Sequence, residues 1–347
     1  AFAGQLRSAG RYVDALGREA ERKSARRPDT VYVGGGTPSE LSVEQIERLY
    51  GVLRRAYPGL NPIESTFEAN VESLTPAKLE ALARSGVNRL SLGLQTSEAT
   101  LLKAIGRKHS VADFIDVYQS ARKKGCFAIS IDLMYNLPGQ SLRSLDDSLH
   151  FVLNLQPEHI SVYGLQIEDK TLFARRDVAP DEDLGREMFE LCLDTLSGAG
   201  YRHYEISNFA RPRHESRHNQ IYWNNGEYVG LGCGASGHRD GARYRNFDRL
   251  SDYFNAVEAG RNPASESEVL SGKHALGESL MLGLRLIDGF VPTGPMWQAF
   301  EAEIAALERR RLLERRAARL RLTREGVFLA NAVFREFVPP YAEAVTA

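Results

Sequence analysis

Five short apolar runs punctuate the first half of the chain: "TVYVGG" from Thr30, "STFEANV" from Ser65, "RLSLGLQ" from Arg89, "AISIDLMYNL" from Ala128 and "HISVYGLQI" from His159. Each is enriched in β-branched or aromatic residues and predicts a strand. Helical patterns separate them. Ser42 stands three residues before Gln45, the spacing of a capping box, and Leu41, Ile46, Leu49, Tyr50 and Leu53 give one apolar face. Thr75-Pro76 opens the next helix, and residues 112–123 and 141–155 predict two more. Strand, helix, strand, helix requires parallel pairing, because parallel neighbours need a crossover rather than a tight hairpin. The expected fold is α/β: a partial, open TIM-like barrel of parallel strands with crossover helices. A lead helix over 5–23 precedes it, with no strand before that helix.

The rest of the chain changes character. A helix from about Leu184 leads to "YRHYEISNFARP" and the glycine- and aromatic-rich "RHNQIYWNNGEYVGLGCGASG". From about Glu268, two helices, one short strand "ARLRLT" and a last helix predict a mainly helical, winged-helix-like domain. The expected domains are therefore 1–180, the partial barrel; 181–265, an extension of it; and 266–347, the C-terminal unit.

Composition excludes several classes. The formal net charge of −1 argues against bulk nucleic-acid binding. The basic run from Arg309 to Arg321 has Glu301, Glu303, Glu308 and Glu314 in and around it, as a solvated helix face does. No stretch approaches the roughly 18 apolar residues of a membrane helix, which leaves room only for a peripheral membrane contact. There is no signal-peptide pattern. Cys126, Cys192 and Cys233 are isolated, which points away from a disulfide framework and toward a reducing cytoplasm. All three read as small apolar fillers.

Polar residues gather where the strands end: Gly34-Gly35-Gly36-Thr37, Glu68 with Asn70, Gln95-Thr96, Asp132 with Asn136, and Gln166 with Glu168. In a parallel barrel these carboxyl ends share one rim, where ligands bind. A carboxylate there is costly unless paired. For Glu68 the partner is a ligand's hydroxyls or amino group, or else a neighbouring Lys or Arg. The glycine triplet either makes a turn or lets something approach the backbone closely. It lacks the P-loop lysine and the dinucleotide spacing. Backbone groups at a strand end suit the ammonium and carboxylate of a free amino acid.

"HESRH", from His214 to His218, spells H-E-x-x-H, which in zinc proteases places two His one turn apart on a helix. Here Arg211, Arg213, Ser216 and Arg217 surround it, and "NQIYWNNG" follows without a helical period. A loop is predicted, and zinc hydrolysis is set aside.

Taken in order, "GGGTPSEL", "FEAN", "RLSLGLQT", "IGRKHS" and "ISIDLMYNLPGQ" resemble the radical S-adenosylmethionine family in its coproporphyrinogen-oxidase-like branch. "RHNQIYWNNGEYVGLGCGASG" is similar to the HemW-type heme chaperones of that branch, which carry His-Asn-x-x-Tyr-Trp. The resemblance implies that Gly35, Gly36 and Thr37 contact the methionine end of S-adenosylmethionine and that Glu68 holds its ribose hydroxyls. It makes Gln95, Arg107 and Asp132 further cofactor positions. From its surroundings alone, Arg107 also reads as a helix-end cation for Asp113 or Asp116.

Family members hold a [4Fe-4S] cluster with three cysteines spaced C-x3-C-x2-C, thiolates being the ligands such a cluster needs. This chain has no such triplet. The resemblance places that loop, and a first strand, upstream of Ala1. It implies five of six core strands here and a cluster in the full-length protein only. It also implies heme as a ligand, with His218 as the axial group, Tyr222 and Trp223 as flat apolar surfaces, and Arg213 and Arg217 near the propionates. His214 and His203 are the fallback ligands. The function it implies is heme binding and delivery to a heme-acceptor protein. The alternatives are an oxygen-independent coproporphyrinogen III oxidase, which decarboxylates its substrate to protoporphyrinogen IX, and a non-catalytic binding module.

Overall fold

The computed structural model describes residues 8–24, 26–167 and 180–339. They fall into two compact units, the first of residues 1–203 and 207–216, the second of 204–206 and 217–347.

The first unit is built on a sheet of order β1-β2-β3-β4-β5-β7-β6. Strands β1 (Thr30–Val33), β2 (Glu64–Asn70), β3 (Arg89–Gln95), β4 (Ala128–Tyr135) and β5 (His159–Gly164) are parallel neighbours in chain order. This is the open half-barrel expected, with five parallel strands. Two strands beyond it were not foreseen. β7 (Asn208–Ala210) pairs antiparallel with β5, and β6 (Arg202–Glu205) closes the order.

Helices α1 (Ala9–Lys23), α2 (Val43–Ala56), α3 (Pro76–Arg84), α4 (Ala99–Ala104), α5 (Val111–Lys124), α6 (Leu142–Leu155) and α7 (Glu182–Gly198) follow or separate the strands. The Ser42–Gln45 capping box forms as read, Ser42 accepting from the Gln45 amide and Gln45 from that of Ser42. The lead helix is described from Ala9; residues 5–7 of the expected span, and Glu168 of the expected rim, lie outside the described residues.

Side chains alternate across a strand, and this alternation builds core and site together. One set is wholly apolar and buried: Phe67 and Ala69; Leu90, Leu92 and Leu94; Ile129, Ile131 and Leu133; Ile160 and Val162. Each large member contributes about 1.5–3 kcal/mol by burial. The other set is polar: Thr66, Glu68 and Asn70; Arg89, Ser91 and Gly93; Ser130 and Asp132; His159, Ser161 and Tyr163.

At the amino-terminal end of the strands this polar set forms an enclosed floor. Arg89 is 5% exposed; its Nη1 donates to the carbonyl of His214 at 3.0 Å and lies 3.7 Å from Glu64. Ser216 donates to Glu64 at 3.2 Å, and Ser130 Oγ lies 2.7 Å from His159 Nδ1. Burial, with the nearby Arg89 and His214, holds the His159 pKa well below the ordinary histidine range.

In the second unit, β8 (Ser236–Arg239), β9 (Ala242–Asn246) and β10 (Ala264–Val269) make an antiparallel sheet. Helix α8 (Arg217–Trp223) precedes this sheet in the chain, and α9 (Leu250–Glu258) separates β9 from β10. The C-terminal part then runs through α10 (Gly272–Gly283), α11 (Gly294–Ala299) and α12 (Glu301–Arg309) into a hairpin, β11 (Leu313–Arg316) with β12 (Arg319–Leu322). Helices α13 (Arg324–Phe328) and α14 (Ala330–Arg335) follow it. The short strand "ARLRLT" forms as β12, but the basic run from Arg309 to Arg321, read as a helix face, is corrected: the helix ends at Arg309 and the run becomes this hairpin, with Ala317 at positive φ turning the chain between its strands.

Candidate functional site

Glu68 lies at the mouth of the half-barrel. Its Oε1 accepts from the Tyr32 hydroxyl at 2.5 Å and its Oε2 from the Gly35 amide at 3.1 Å. Glu68 makes no ion pair among the described residues, so the Lys or Arg partner considered from the sequence is not the one that forms. The glycines gain a specific reason. A Cβ on Gly34 would stand 2.6 Å from the Glu68 carboxyl carbon and 2.7 Å from the Tyr32 ring. Gly34 is therefore bare so that Glu68 can reach the turn, and Gly35 takes φ +86°, a left-handed value that glycine adopts at little cost. Gly36 faces open space, and Thr37 Oγ1 accepts from Asn70 Nδ2 at 3.4 Å.

Asp132 is flanked by Gly93 on β3 and Ser161 on β5. Ser91 Oγ lies 3.1 and 3.0 Å from its two oxygens. Burial is the main force on this carboxyl and, with the charge of Glu68, pushes its pKa up to about 6; the hydroxyls of Ser161 and Ser91 and the charge of Arg107 act in the other direction.

Gln95 closes β3 at φ +70°, where the β3–β4 register shifts. That left-handed backbone costs a non-glycine residue about 1–3 kcal/mol, and it folds the Gln95 amide over Gly93. A Cβ on Gly93 would meet Gln95 Nε2 at 2.7 Å and Arg107 Nη2 at 3.5 Å. Arg107 therefore comes close to the mouth beside Asp132. The helix-end pairing read from the sequence does not form: Asp113 is taken by the Ser110 capping box, and Arg107 makes no ion pair among the described residues. Two carboxylates, one guanidinium and backbone bared by glycines suit a ligand carrying a diol, a carboxylate and net positive charge, as S-adenosylmethionine does.

The fold thus brings Gly35, Gly36, Thr37, Glu68, Gln95, Arg107 and Asp132 to one end of the sheet. Sequence reasoning missed Tyr32, Ser91 and Ser161. Tyr32 had a signal, since it sits two residues before Gly34 and shares its strand face.

The second candidate set lies in the other unit, and here an expectation is overturned. "RHNQIYW" is not a loop but the helix α8, Arg217–Trp223. Seven residues with mixed polarity are too few to show a period. His218 and Tyr222 sit one turn apart, with His218 Nε2 2.8 Å from the Tyr222 hydroxyl and the rings edge-to-face at 4.8 Å. Tyr222 packs on Tyr228 at 4.5 Å, and burial, then Tyr228, raises its pKa to about 12. The Arg285 guanidinium stacks 4.3 Å from the Trp223 ring.

The fallback histidines differ in setting. His203 stacks on Phe209 at 4.4 Å, whereas the His214 side chain is exposed. His214 precedes α8, so it shares no helical turn with His218, and Glu215 is ion-paired to Arg202 at 2.9 Å. The zinc-protease geometry is absent.

The cysteines need one correction. Cys192 is buried, and burial raises its pKa to about 12, as a filler's would be; Cys233 donates to the Phe247 carbonyl at 3.0 Å. Cys126 is exposed and fills nothing. Among the described residues, no three of His, Cys, Asp or Glu are placed to hold a metal ion. These residues do not fit the iron–sulfur cluster.

Comparison with known proteins agrees with this architecture. Residues 6–152 match the Radical SAM superfamily, and residues 270–329 match the HemN C-terminal domain. The chain is similar to the heme chaperone HemW of Lactococcus lactis, 36% identical over 339 residues covering 94% of this chain and 89% of that protein. It is similar also to the heme chaperone HemW of Bacillus subtilis, 35% identical and covering 94% and 91%. The solved structure of the radical SAM enzyme coproporphyrinogen III oxidase, HemN, from Escherichia coli superimposes with a TM-score of 0.82 at 22% identity, covering 97% of this chain and 84% of that one. That likeness shows the fold. The chain belongs to the HemW family of radical S-adenosylmethionine proteins.

One prediction follows from Asp132. A carboxyl whose pKa is raised to about 6 on folding takes up a proton more readily folded than unfolded. Stability is then lost as pH rises from about 4 to about 6, and the loss is complete above that window. Asp132→Asn is expected to stabilise the ligand-free protein at pH 7.5 by about 1–3 kcal/mol and by much less at pH 4.5. Urea denaturation at the two pH values checks this; equal stability at pH 7.5 would contradict it.

Proposed function

We propose that this protein binds S-adenosylmethionine at the strand ends and heme beside α8, and that it acts as a heme chaperone delivering heme to an acceptor protein. The observation that carries the heme reading is the His218–Tyr222 pair, which presents an imidazole nitrogen to a phenol on a short helix. Two relatives, each matched over nine-tenths of this chain, carry the name heme chaperone.

In the cofactor site, Glu68 accepts from the ribose hydroxyls, oriented by Tyr32 and the Gly35 amide. Arg107 pairs with the ligand carboxylate, and Gly35, Gly36 and Thr37 take the methionine end through backbone groups. Gln95 and Asp132 complete the polar lining. When bound, S-adenosylmethionine supplies the carbon–sulfur bond on which the chemistry of this superfamily is done.

In the heme site, His218 Nε2 is the nitrogen that would meet iron. Tyr222, held neutral by burial, would have to give up its hydrogen bond to that nitrogen for the nitrogen to serve. Tyr222 and Trp223 then offer ring faces to the porphyrin.

The test is to incubate the protein, after iron–sulfur reconstitution, with coproporphyrinogen III, and separately with heme. Stoichiometric heme binding, transfer to an apo-acceptor and no porphyrin turnover are expected. Steady formation of protoporphyrinogen would replace this reading with that of an oxidase.

A further inference from the structure

We propose that Glu72 and His109 form a clamp that positions the Arg107 guanidinium over the strand-end site. This rests on reading that site as the place of S-adenosylmethionine.

Glu72 belongs to a short 3-10 turn, Val71–Ser73, directly after β2 and four residues past Glu68. Its Oε1 accepts twice, from the Lys108 backbone amide at 3.1 Å and from His109 Nδ1 at 3.0 Å. Arg107 immediately precedes these two donors. On its other side the chain leaves α4 through Gly106 at φ +76°, and the Arg107 amide donates to the Leu102 carbonyl at 2.9 Å. Beyond His109, Ser110 is locked into its capping box with Asp113. Backbone on both sides of Arg107 is therefore pinned, while its side chain makes no ion pair among the described residues.

His109 is 5% exposed, and its Nε2 is buried with no hydrogen-bond partner among the described residues. Burying an imidazole with one nitrogen unmatched is unfavourable. Among the described residues, the bond to Glu72 is the ring's hydrogen bond that offsets this, and it ties the Arg107 loop to the end of the strand that carries Glu68. Burial alone would raise the Glu72 pKa; the bond from His109 and those from the backbone amides of Glu72 and Lys108 outweigh it and lower it to about 2. The acceptor is thus a carboxylate, and Nδ1 carries the shared proton. A cation held in place before the ligand arrives loses less freedom on binding than one on a loose loop.

A double-mutant cycle tests the clamp, with S-adenosylmethionine affinity measured by calorimetry on the protein. His109→Leu fills the buried volume but removes the donor. It is expected to weaken binding about fivefold to tenfold, and Arg107→Ala about tenfold or more. If His109 acts through Arg107, the double variant binds within about twofold of Arg107→Ala alone. Glu72→Gln keeps an acceptor oxygen and is expected to lose less than about threefold. A melting temperature for each variant within a few degrees of wild type separates positioning from general damage.

Wild-type affinity in His109→Leu, or a loss that adds in full to that of Arg107→Ala, overturns the clamp. Failure of the site reading looks different: the wild type itself does not bind S-adenosylmethionine, or Glu68→Ala and Arg107→Ala leave its affinity unchanged, and the clamp falls with it.

Discussion

Replacing Glu68 with alanine is expected to weaken S-adenosylmethionine binding by roughly 10- to 150-fold while the protein stays folded. Glu68 accepts from Tyr32 and the Gly35 amide with one oxygen each, and each carboxylate oxygen keeps a second lone pair for a ribose hydroxyl. One hydrogen bond to a charged acceptor is worth about 1.5–3 kcal/mol, and water replacing the second leaves a net loss of about one such bond, which sets the range through the factor of ten per about 1.4 kcal/mol. The fold survives because the partners left behind open to the mouth, Tyr32 being 36% exposed, so water can replace the carboxylate. Tyr32→Phe removes only the orienting bond and should cost less than Glu68→Ala. Glu68→Ala also takes away the charge that helps to raise the Asp132 pKa, so Asp132 should ionise at lower pH in that variant. Calorimetry decides the matter; unchanged affinity would reject Glu68 as the ribose ligand.

The second large effect is expected at His218. His218→Ala should reduce heme binding at least about tenfold and shift the Soret band, with S-adenosylmethionine affinity unaltered. A histidine ligates heme iron through a ring-nitrogen lone pair, and Nε2 already faces a hydroxyl that can donate to it. The competing bond costs little to give up, since a neutral hydrogen bond contributes only about 0.5–1.5 kcal/mol net. Tyr222→Phe should therefore retain heme, and that contrast identifies the iron ligand. An unaltered Soret band and unaltered stoichiometry in His218→Ala would discard His218, and the exposed His214 would be the next residue to replace.

The parallel strands were legible because hydrophobic alternation is local: β3 runs from Arg89 to Gln95 as read, and β4 begins at Ala128 as read. The rim was legible for the same reason, since polar residues at strand ends share one edge whatever the register. What depends on register was not. Ser91 reaches Asp132 across 41 residues of sequence, and Tyr32 reaches Glu68 across 36. Nothing local marks either pair. His109 stood inside the quoted "IGRKHS", yet only Arg107 was singled out there, because the acceptor of His109 lies on another strand end. The helix over His218 escaped because a helix of 7 residues shows too little periodicity to distinguish it from a loop.

The floor of the half-barrel also sets a timetable. Arg89 donates to the His214 carbonyl across 125 residues, and Glu64 accepts from the Ser216 hydroxyl across 152. At about 5–20 residues per second of synthesis, roughly 6–25 s pass between the emergence of the arginine and that of the segment that encloses it. During that interval β1 to β5 can pair, but a guanidinium and a carboxylate at their base still face water. The nascent sheet is then open at its lower end, and it closes only when a segment from beyond the fifth parallel strand arrives to seal it.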